Sequence, residues 1–242
     1  MPDMARTPAR WTIICDFDGT IAPTDVTDQL LERYASPEWL QFERAWQANA
    51  ISSRECLIKQ TELVEMTRKD LQDFLAPFHI DPAFGDFVKY AQDTQCNVQV
   101  ASEGYTQVIS ILLNHAGTPP LPIAATYMIP DGSNRWMLGC PFSAPGCDSD
   151  AATCKCAVAS EGRAGDSPTL LIGDGRSDFC LASRADFIFA RGALLEHCRQ
   201  HSLPHVEVQN FTEAKHHLAA LLAADFYGRH RLPSLALVPS YG

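Results

Sequence analysis

A short apolar run, Trp11-Thr12-Ile13-Ile14-Cys15, breaks off into Asp16-Phe17-Asp18-Gly19-Thr20, and nothing else in the chain limits its fold so tightly. A β-branched stretch of this length reads as a buried strand, and the acids and glycine that follow end it in a loop. In an open α/β sheet that strand end is where ligands bind. Carboxylates at alternate positions there can divide a reaction between them. One serves as nucleophile and metal ligand while the other exchanges a proton with the leaving group. A solvated Asp-x-Asp-Gly turn is the plainer alternative, and the pentapeptide alone does not separate the two.

Three further segments favour the chemical alternative. Thr169-Leu170-Leu171-Ile172 runs into Gly173-Asp174-Gly175-Arg176-Ser177-Asp178, a second strand delivering two acids four residues apart. Mg²⁺ prefers hard oxygen ligands and needs few protein carboxylates, so two acidic strand ends facing each other make a candidate metal site. Asn97-Val98-Gln99-Val100-Ala101 is another strand, ending in Ser102-Glu103-Gly104. A hydroxyl followed by free backbone N–H groups at a helix start suits a phosphate. Lys155 is the sole lysine between Ser102 and Asp174. A fixed ammonium there offsets a nucleophilic carboxylate beside a phosphate dianion. Arg135 and Arg163 are the alternative cations, the second in a loop-like Glu161-Gly162-Arg163-Ala164-Gly165 that suits a solvated role.

The order Asp-x-Asp, Ser/Thr, Lys, Gly-Asp-x-x-x-Asp, spread over nearly the whole chain, resembles the haloacid dehalogenase (HAD) superfamily of phosphatases. The resemblance implies Asp16 as nucleophile and Asp18 as general acid/base. It implies Ser102 and Lys155 as phosphate ligands, with Thr20, Glu103 and Gly104 around the same phosphate. It further implies that Mg²⁺ is held by Asp16, Asp174 and Asp178 together with Asp18 through its backbone carbonyl. The implied activity is hydrolysis of a small phosphorylated metabolite through an aspartyl-phosphate. The rivals are a phosphomutase and a non-catalytic binding module on the same fold; a binding module is expected to lose Asp16 or Asp18, and both are present.

A net charge of −10 argues against nucleic acid or a polyanionic membrane surface as partner. A small phosphorylated substrate stays admissible, because metal and Lys155 correct the field locally. The residues through Ala9 carry no long apolar block, and the Trp11–Cys15 run is too short for a bilayer span or a secretory core, so the expected location is the cytoplasm. Nine cysteines in such a chain point to reduced thiols. Cys140, Cys147, Cys154 and Cys156 crowd a stretch rich in Pro, Gly, Ser and Asp, with Lys155 inside Cys-Lys-Cys. Four soft ligands in a loop can close a structural Zn²⁺ site, although the spacing is not a paired Cys-x-x-Cys. The alternative is that these thiols pack beneath the loop as small hydrophobes and position Lys155.

Between Ile21 and Pro82 no strand run stands out. Apolar positions recur at helical spacing, Leu30, Leu31 and Tyr34, then Trp39, Leu40, Phe42 and Trp46. Thr24, Ser36 and Ser52 suit helix caps, and Pro37 a first helical turn. Beyond Pro82 the pattern alternates: a helix over 83–93, the Ser102 strand, a helix over 105–116, a strand over 123–127, and a hairpin and loop over 130–150. A helix over 151–161 and the Asp174 strand follow, then strands at Phe187–Ala190 and Val206–Val208, each with a helical stretch after it. This alternation predicts an α/β fold with a doubly wound, largely parallel sheet. The expected division is a HAD-like core from 1–22 and 83–242 with a small helical cap over 23–82, as a monomer or homodimer. The resemblance implies that the cap covers the catalytic aspartates and reads the leaving group. Arg229 to Gly242 has no periodicity and reads as a tail.

At finer grain the early cap, the cysteine-bearing loop before Lys155 and the Asp186–Arg191 run resemble the phosphoserine-phosphatase-like branch. Within it the Cys-rich approach to the lysine resembles the methionine-salvage phosphatases of 2-hydroxy-3-keto-5-methylthiopentenyl-1-phosphate. It also resembles phosphocholine/phosphoethanolamine phosphatases. Phosphoserine phosphatases usually have glutamate where Asp25 stands, which lowers serine phosphate as substrate; salvage enzymes tend to show Ser-Gly-Gly where Ser102-Glu103-Gly104 stands. Glu103 either favours a cationic leaving group or faces solvent. Asp25 either reads the substrate or is a helix-start carboxylate.

Overall fold

The computed structural model describes residues 9–163 and 166–227; the expected tail from Arg229 onward lies outside the described residues. Among the described residues seven strands form one sheet: β1 (Thr12–Cys15), β2 (Asn97–Tyr105), β3 (Ile123–Asp131), β4 (Arg135–Gly139), β5 (Thr169–Gly173), β6 (Phe187–Ala190) and β7 (His205–Glu207). Their spatial order is β4-β3-β2-β1-β5-β6-β7, and every neighbouring pair is parallel except the β3–β4 hairpin. Ten helices are described. Five come between β1 and β2: α1 (Val26–Tyr34), α2 (Trp39–Gln47), α3 (Ser53–Glu62) and α4 (Arg68–Leu75) in the insertion, then α5 (Phe84–Asp93). The others are α6 (Thr106–His115), α7 (Lys155–Gly162), α8 (Phe179–Ala182), α9 (Gly192–His201) and α10 (Phe211–Tyr227).

Side chains of the central strands alternate between two apolar layers. Ile13, Cys15, Leu170, Ile172 and Phe189 join the layer closed by α5, α6 and α10. Ile14, Leu171, Ile188 and Ala190 face α7, α8 and α9. Each fully buried Ile, Leu or Phe is worth about 1.5–3 kcal/mol. A one-residue slip of β1 would exchange both faces, so burial fixes the register and with it the place where Asp16 emerges.

The helical insertion leaves and rejoins the sheet at one point, where Asp81 N–H donates to Ile21 O at 2.8 Å. Its inner helices do not build a core of their own. Val26, Leu30, Leu31, Leu71 and Leu75 are continuous with Phe87, Tyr105 and Val108 of the main layer. The β3–β4 hairpin reaches across to the insertion as well: Met66 N–H donates to Asn134 O and Trp136 Nε1 to Met66 O, each at 2.8 Å. Ser52 caps α3 as its position suggests, accepting from Glu55 N–H at 3.1 Å. Asp25 rather than Thr24 caps α1, and Thr67 with Asp70 forms a capping box on α4.

One boundary moves in a way that matters. The helix expected from Ala151 begins only at Lys155. Ala152 N–H donates to Glu103 Oε1 and Cys154 N–H to Phe142 O, both at 2.8 Å, which holds 151–154 out of the helix. Lys155 therefore becomes the first residue of α7.

Candidate active site

Three strand ends converge beside β1. Asp16 follows β1, with its N–H still bonded to Ile172 O at 2.9 Å, and Phe17 is wholly buried, pinning the loop. β2 runs past the end of β1 and carries Ser102 out on the overhang, while β5 delivers Asp174. Gly19 takes φ +70°, and a Cβ on it would overlap the Asp174 carboxylate, so both the turn and the close approach of these loops require glycine. Arg191 donates to the carbonyls of Gly19 and Thr20, the second at 2.6 Å, tying the same turn from the far side.

Asp16 Oδ1 accepts from Phe17 N–H at 2.7 Å, and its Oδ2 faces Lys155 Nζ at 2.7 Å and Ser177 Oγ at 3.3 Å. Lys155 is 3% exposed, and it also donates to Asp178 Oδ1 at 2.6 Å and to Ser177 Oγ at 3.1 Å. Burial opposes the ammonium charge, but Asp16 and Asp178 outweigh it and hold the lysine above its ordinary pKa. Lys155 is thus a fixed cation. Ser102 is buried, with its Oγ accepting from Gly104 N–H at 3.0 Å. A Cβ on Gly104 would run into Asp18 Oδ2, so the bare backbone keeps the space between Ser102 and Asp18 open.

Asp18 points the other way, toward the insertion. Its Oδ1 accepts from Val26 N–H at 2.8 Å and its Oδ2 from Thr27 Oγ1 at 2.9 Å. Burial, and then the charge of Asp25, push its carboxyl up to about 8 against those two bonds. A carboxyl with that pKa holds its proton at neutral pH and is available as an acid. Its side chain stands outside the metal cluster, which leaves only its backbone carbonyl for a cation.

Asp16, Asp174 and Asp178 bring ligand oxygens within 4.8 Å of one another, the one cluster of three or more potential metal ligands among the described residues. Asp178 is fully buried, and both its oxygens are engaged: Oδ1 by Lys155, Oδ2 by the N–H groups of Asp174 and Gly175 at 3.1 Å. Burial, then the Asp16 charge, raise the pKa of Asp174 despite the bond it accepts from Thr20. Three crowded carboxylates against one lysine suit a divalent cation, and the all-oxygen donor set suits Mg²⁺.

Several expectations need correction. Thr20 is no phosphate donor here: its Oγ1 donates to Asp174 Oδ1 at 2.6 Å, so it orients that carboxylate. Glu103 neither faces solvent nor reaches the phosphate cradle; its Oε1 accepts from Ser53 Oγ and Ala152 N–H. The four loop cysteines do not converge on a Zn²⁺ site. All are free thiols, Cys147 bonds with Cys154, and Cys156 turns instead to Cys180, Sγ to Sγ at 3.4 Å. Arg135 lies beside Glu65 at 3.6 Å and Arg163 beside Asp186 at 3.4 Å, leaving Lys155 as the site's ammonium. Ser177 and Arg191 carry no signal of their own in the sequence: Ser177 lies inside the Gly173–Asp178 run, between acids with a stronger one.

A cavity of about 200 Å³ opens over these groups, walled on the core side by Asp16, Ser102 and Asp174 and on the insertion side by α1, α2 and α3. Asp25 lines it while its Oδ1 caps α1 through Asp28 N–H at 2.7 Å, so the helix-start carboxylate also borders the cavity.

The profile of the haloacid dehalogenase-like hydrolase family matches residues 13–183, which span all of these groups except Arg191. The chain belongs to this family. Similar HAD proteins include two named 2-hydroxy-3-keto-5-methylthiopentenyl-1-phosphate phosphatase. That of an Exiguobacterium species is 28% identical over 205 residues, covering 82% of this chain and 93% of its own. That of Bacillus velezensis is 28% identical over 225 residues, covering 88% and 90%. Among solved structures, a substrate-bound phosphoserine phosphatase superposes with a TM-score of 0.63 at 14% identity, covering 88% of this chain and 99% of its own. A phospho-aspartyl intermediate analogue of phosphoserine phosphatase gives 0.62 at 14%, covering 87% and 99%. These structures support the HAD fold. Among the described residues no helix is long and apolar enough to cross a membrane.

Proposed function

We propose that this HAD phosphatase, a hydrolase of phosphoric monoesters, works through an aspartyl-phosphate on Asp16, with the residues over 23–82 acting as its cap. The observation that carries this is the opposed placement of two carboxylates. Asp16 lies against a buried ammonium, and Asp18, two residues on, is turned away from it, its carboxyl accepting from Val26 and Thr27 and its pKa raised by burial. Asp16 attacks phosphorus in line while Lys155 and Ser102 take up charge on the equatorial oxygens. Asp18 gives its proton to the departing oxygen. Left as a carboxylate, Asp18 then draws a proton from the water that cleaves the aspartyl-phosphate, releasing phosphate and restoring both acids. Asp16 and Asp174, with the Asp18 carbonyl and Asp178 beside them, would hold Mg²⁺, which supplies Lewis-acid charge and a template for the phosphoryl group.

For the substrate, the names of the relatives at 26–28% identity favour 2-hydroxy-3-keto-5-methylthiopentenyl-1-phosphate. The cavity wall favours a second reading. Asp25, Asp28 and Glu43 line it, and enclosure followed by the charges of Asp25, Glu43 and Glu32 pushes Asp28 up to about 7. An amine-bearing leaving group, as in phosphocholine or phosphoethanolamine, would relieve that repulsion. A Mg²⁺-supplemented screen of the salvage phosphate, phosphocholine, phosphoethanolamine and phosphoserine against p-nitrophenyl phosphate tests both readings. One natural ester should stand well above the aryl phosphate; failure on all of them removes the proposal.

Because Asp18 must be protonated to act first, kcat/KM for an alkyl phosphate should fall as pH rises through about 8. A p-nitrophenolate leaving group needs no proton, so its profile should stay flat there. Identical descending limbs for both esters would take the acid role from Asp18.

Asp25→Asn keeps an N-cap and removes a charge. It should shift the ranking of natural esters by about tenfold with little change on p-nitrophenyl phosphate. A uniform loss on every ester would confine Asp25 to capping α1.

A further inference from the structure

We infer that Glu103 is a positioning residue that docks the cap onto the loop carrying Lys155. It stands next to Ser102 on the β2 overhang, yet its carboxylate is turned across the cavity wall rather than into the phosphate cradle. One oxygen, Oε1, accepts two bonds of 2.8 Å, from Ser53 Oγ at the start of α3 and from Ala152 N–H three residues before Lys155. Ser53 and Ala152 are both buried and Glu103 is half-buried, so both bonds lie partly out of water. Three segments far apart in sequence thereby meet at a single atom: the Ser102 strand end, the cap and the approach to Lys155.

A second contact lies alongside. Arg54, next to Ser53, reaches the Asp150 carboxylate at 2.6 Å and donates its own N–H to Asp150 O at 3.4 Å. Asp150 takes φ +45°, a left-handed conformation uncommon for a residue other than glycine, so the loop is bent where the cap meets it. On the opposite wall Arg176, from the Asp174 loop, lies over the Trp46 ring at 5.1 Å and donates to the carbonyls of Trp46 and Gln47 and to Asn49. The turn between α2 and α3 is therefore gripped from both sides by core loops that each carry catalytic groups.

The bond to Ala152 also bears on where α7 begins, because it holds 151–154 out of the helix and leaves Lys155 at the first helical position. Closing the cap and seating Lys155 thus share one acceptor. Freeing either donor loosens the other segment, although Glu103 itself touches neither phosphate nor leaving group in this role.

Amide hydrogen exchange and kinetics on Glu103→Ala, Ser53→Ala and Glu103→Gln test this. In Glu103→Ala, exchange over 52–57 and over 150–156 should quicken together, by about tenfold for one lost charge-assisted bond. Ser53→Ala, which touches only the cap side, should quicken the Lys155 side as well. The amide oxygen of Glu103→Gln still accepts both bonds and should restore slow exchange. With p-nitrophenyl phosphate, kcat/KM should fall about tenfold in each alanine variant, chiefly through KM, and no further in the double variant. Exchange that quickens only beside the substituted residue overturns the coupling. So does a Glu103→Gln protein as impaired as Glu103→Ala, which would make the charge itself a substrate contact. The kinetic arm rests on the phosphomonoesterase reading. The exchange arm needs no substrate and decides the latch even if no ester is turned over.

Discussion

Asp16→Asn should leave a folded protein whose turnover of every phosphate ester is lower by several orders of magnitude. The amide cannot form an acyl-phosphate, so the first half-reaction has no nucleophile. The fold should survive because Lys155 keeps Asp178 at 2.6 Å, and an asparagine oxygen can still accept the Phe17 N–H. A buried ammonium with no partner would be far more disruptive. Thermal melting near that of the wild type, with no label retained after incubation with a ³²P-labelled ester, is the expected pair of results. Asp18→Asn should differ in kind: it can still be phosphorylated by a good leaving group but hydrolyses the phosphoenzyme slowly, so label should accumulate. Near-normal turnover in a sequence-verified Asp16→Asn sample would end the aspartyl-phosphate mechanism.

Removal of divalent cations should be almost as damaging. Excess chelator is expected to abolish activity, Mg²⁺ to restore it, and Asp174→Ala to raise the Mg²⁺ requirement steeply or eliminate turnover. A readout independent of catalysis is available. A ligand at a hundred times its Kd stabilises the folded state by about 2.7 kcal/mol, so Mg²⁺ should raise the melting temperature of the wild type and leave that of Asp174→Ala nearly unchanged. Full activity in excess chelator, or an equal Mg²⁺ shift in both proteins, would remove Asp174 from the metal site.

The parts of the site carried by strand ends were readable in the sequence because the signal is local. An apolar run followed by acids or a hydroxyl places Asp16, Ser102 and Asp174 whatever lies elsewhere in the chain. Lys155 is legible through the absence of a competing lysine, and the structure brings it to Asp16 and Asp178 while Arg135 and Arg163 pair elsewhere. What the sequence concealed depends on contacts between distant segments. The late start of α7 follows from a bond between Ala152 and Glu103, 49 residues apart. Thr20 serves Asp174, 154 residues away, and nothing in its surroundings separates that role from binding phosphate. Clustering of four cysteines in sequence suggests a common ligand, but Cys147 meets Cys154 while Cys156 turns to Cys180. The hairpin is legible from its turn residues, whereas its attachment to the insertion through Trp136 and Met66 is not, since an indole bonded to a carbonyl 70 residues away leaves no periodic trace.

The β3–β4 hairpin bears on how the protein behaves in concentrated solution. Any open sheet has two flanks with unpaired backbone groups, and these invite strand addition by a second chain. Here the first flank is β4, which runs antiparallel to its neighbour and is met along its outer side by Glu65 through a bridge to Arg135. Among the described residues the other flank is β7, only three residues long. Neither offers a long, flat template, and a net charge of −10 keeps molecules apart. Trimming the contact between 65–66 and 134–136, for instance with Trp136→Ser, would uncover the longer flank, so self-association should appear before any loss of catalytic geometry.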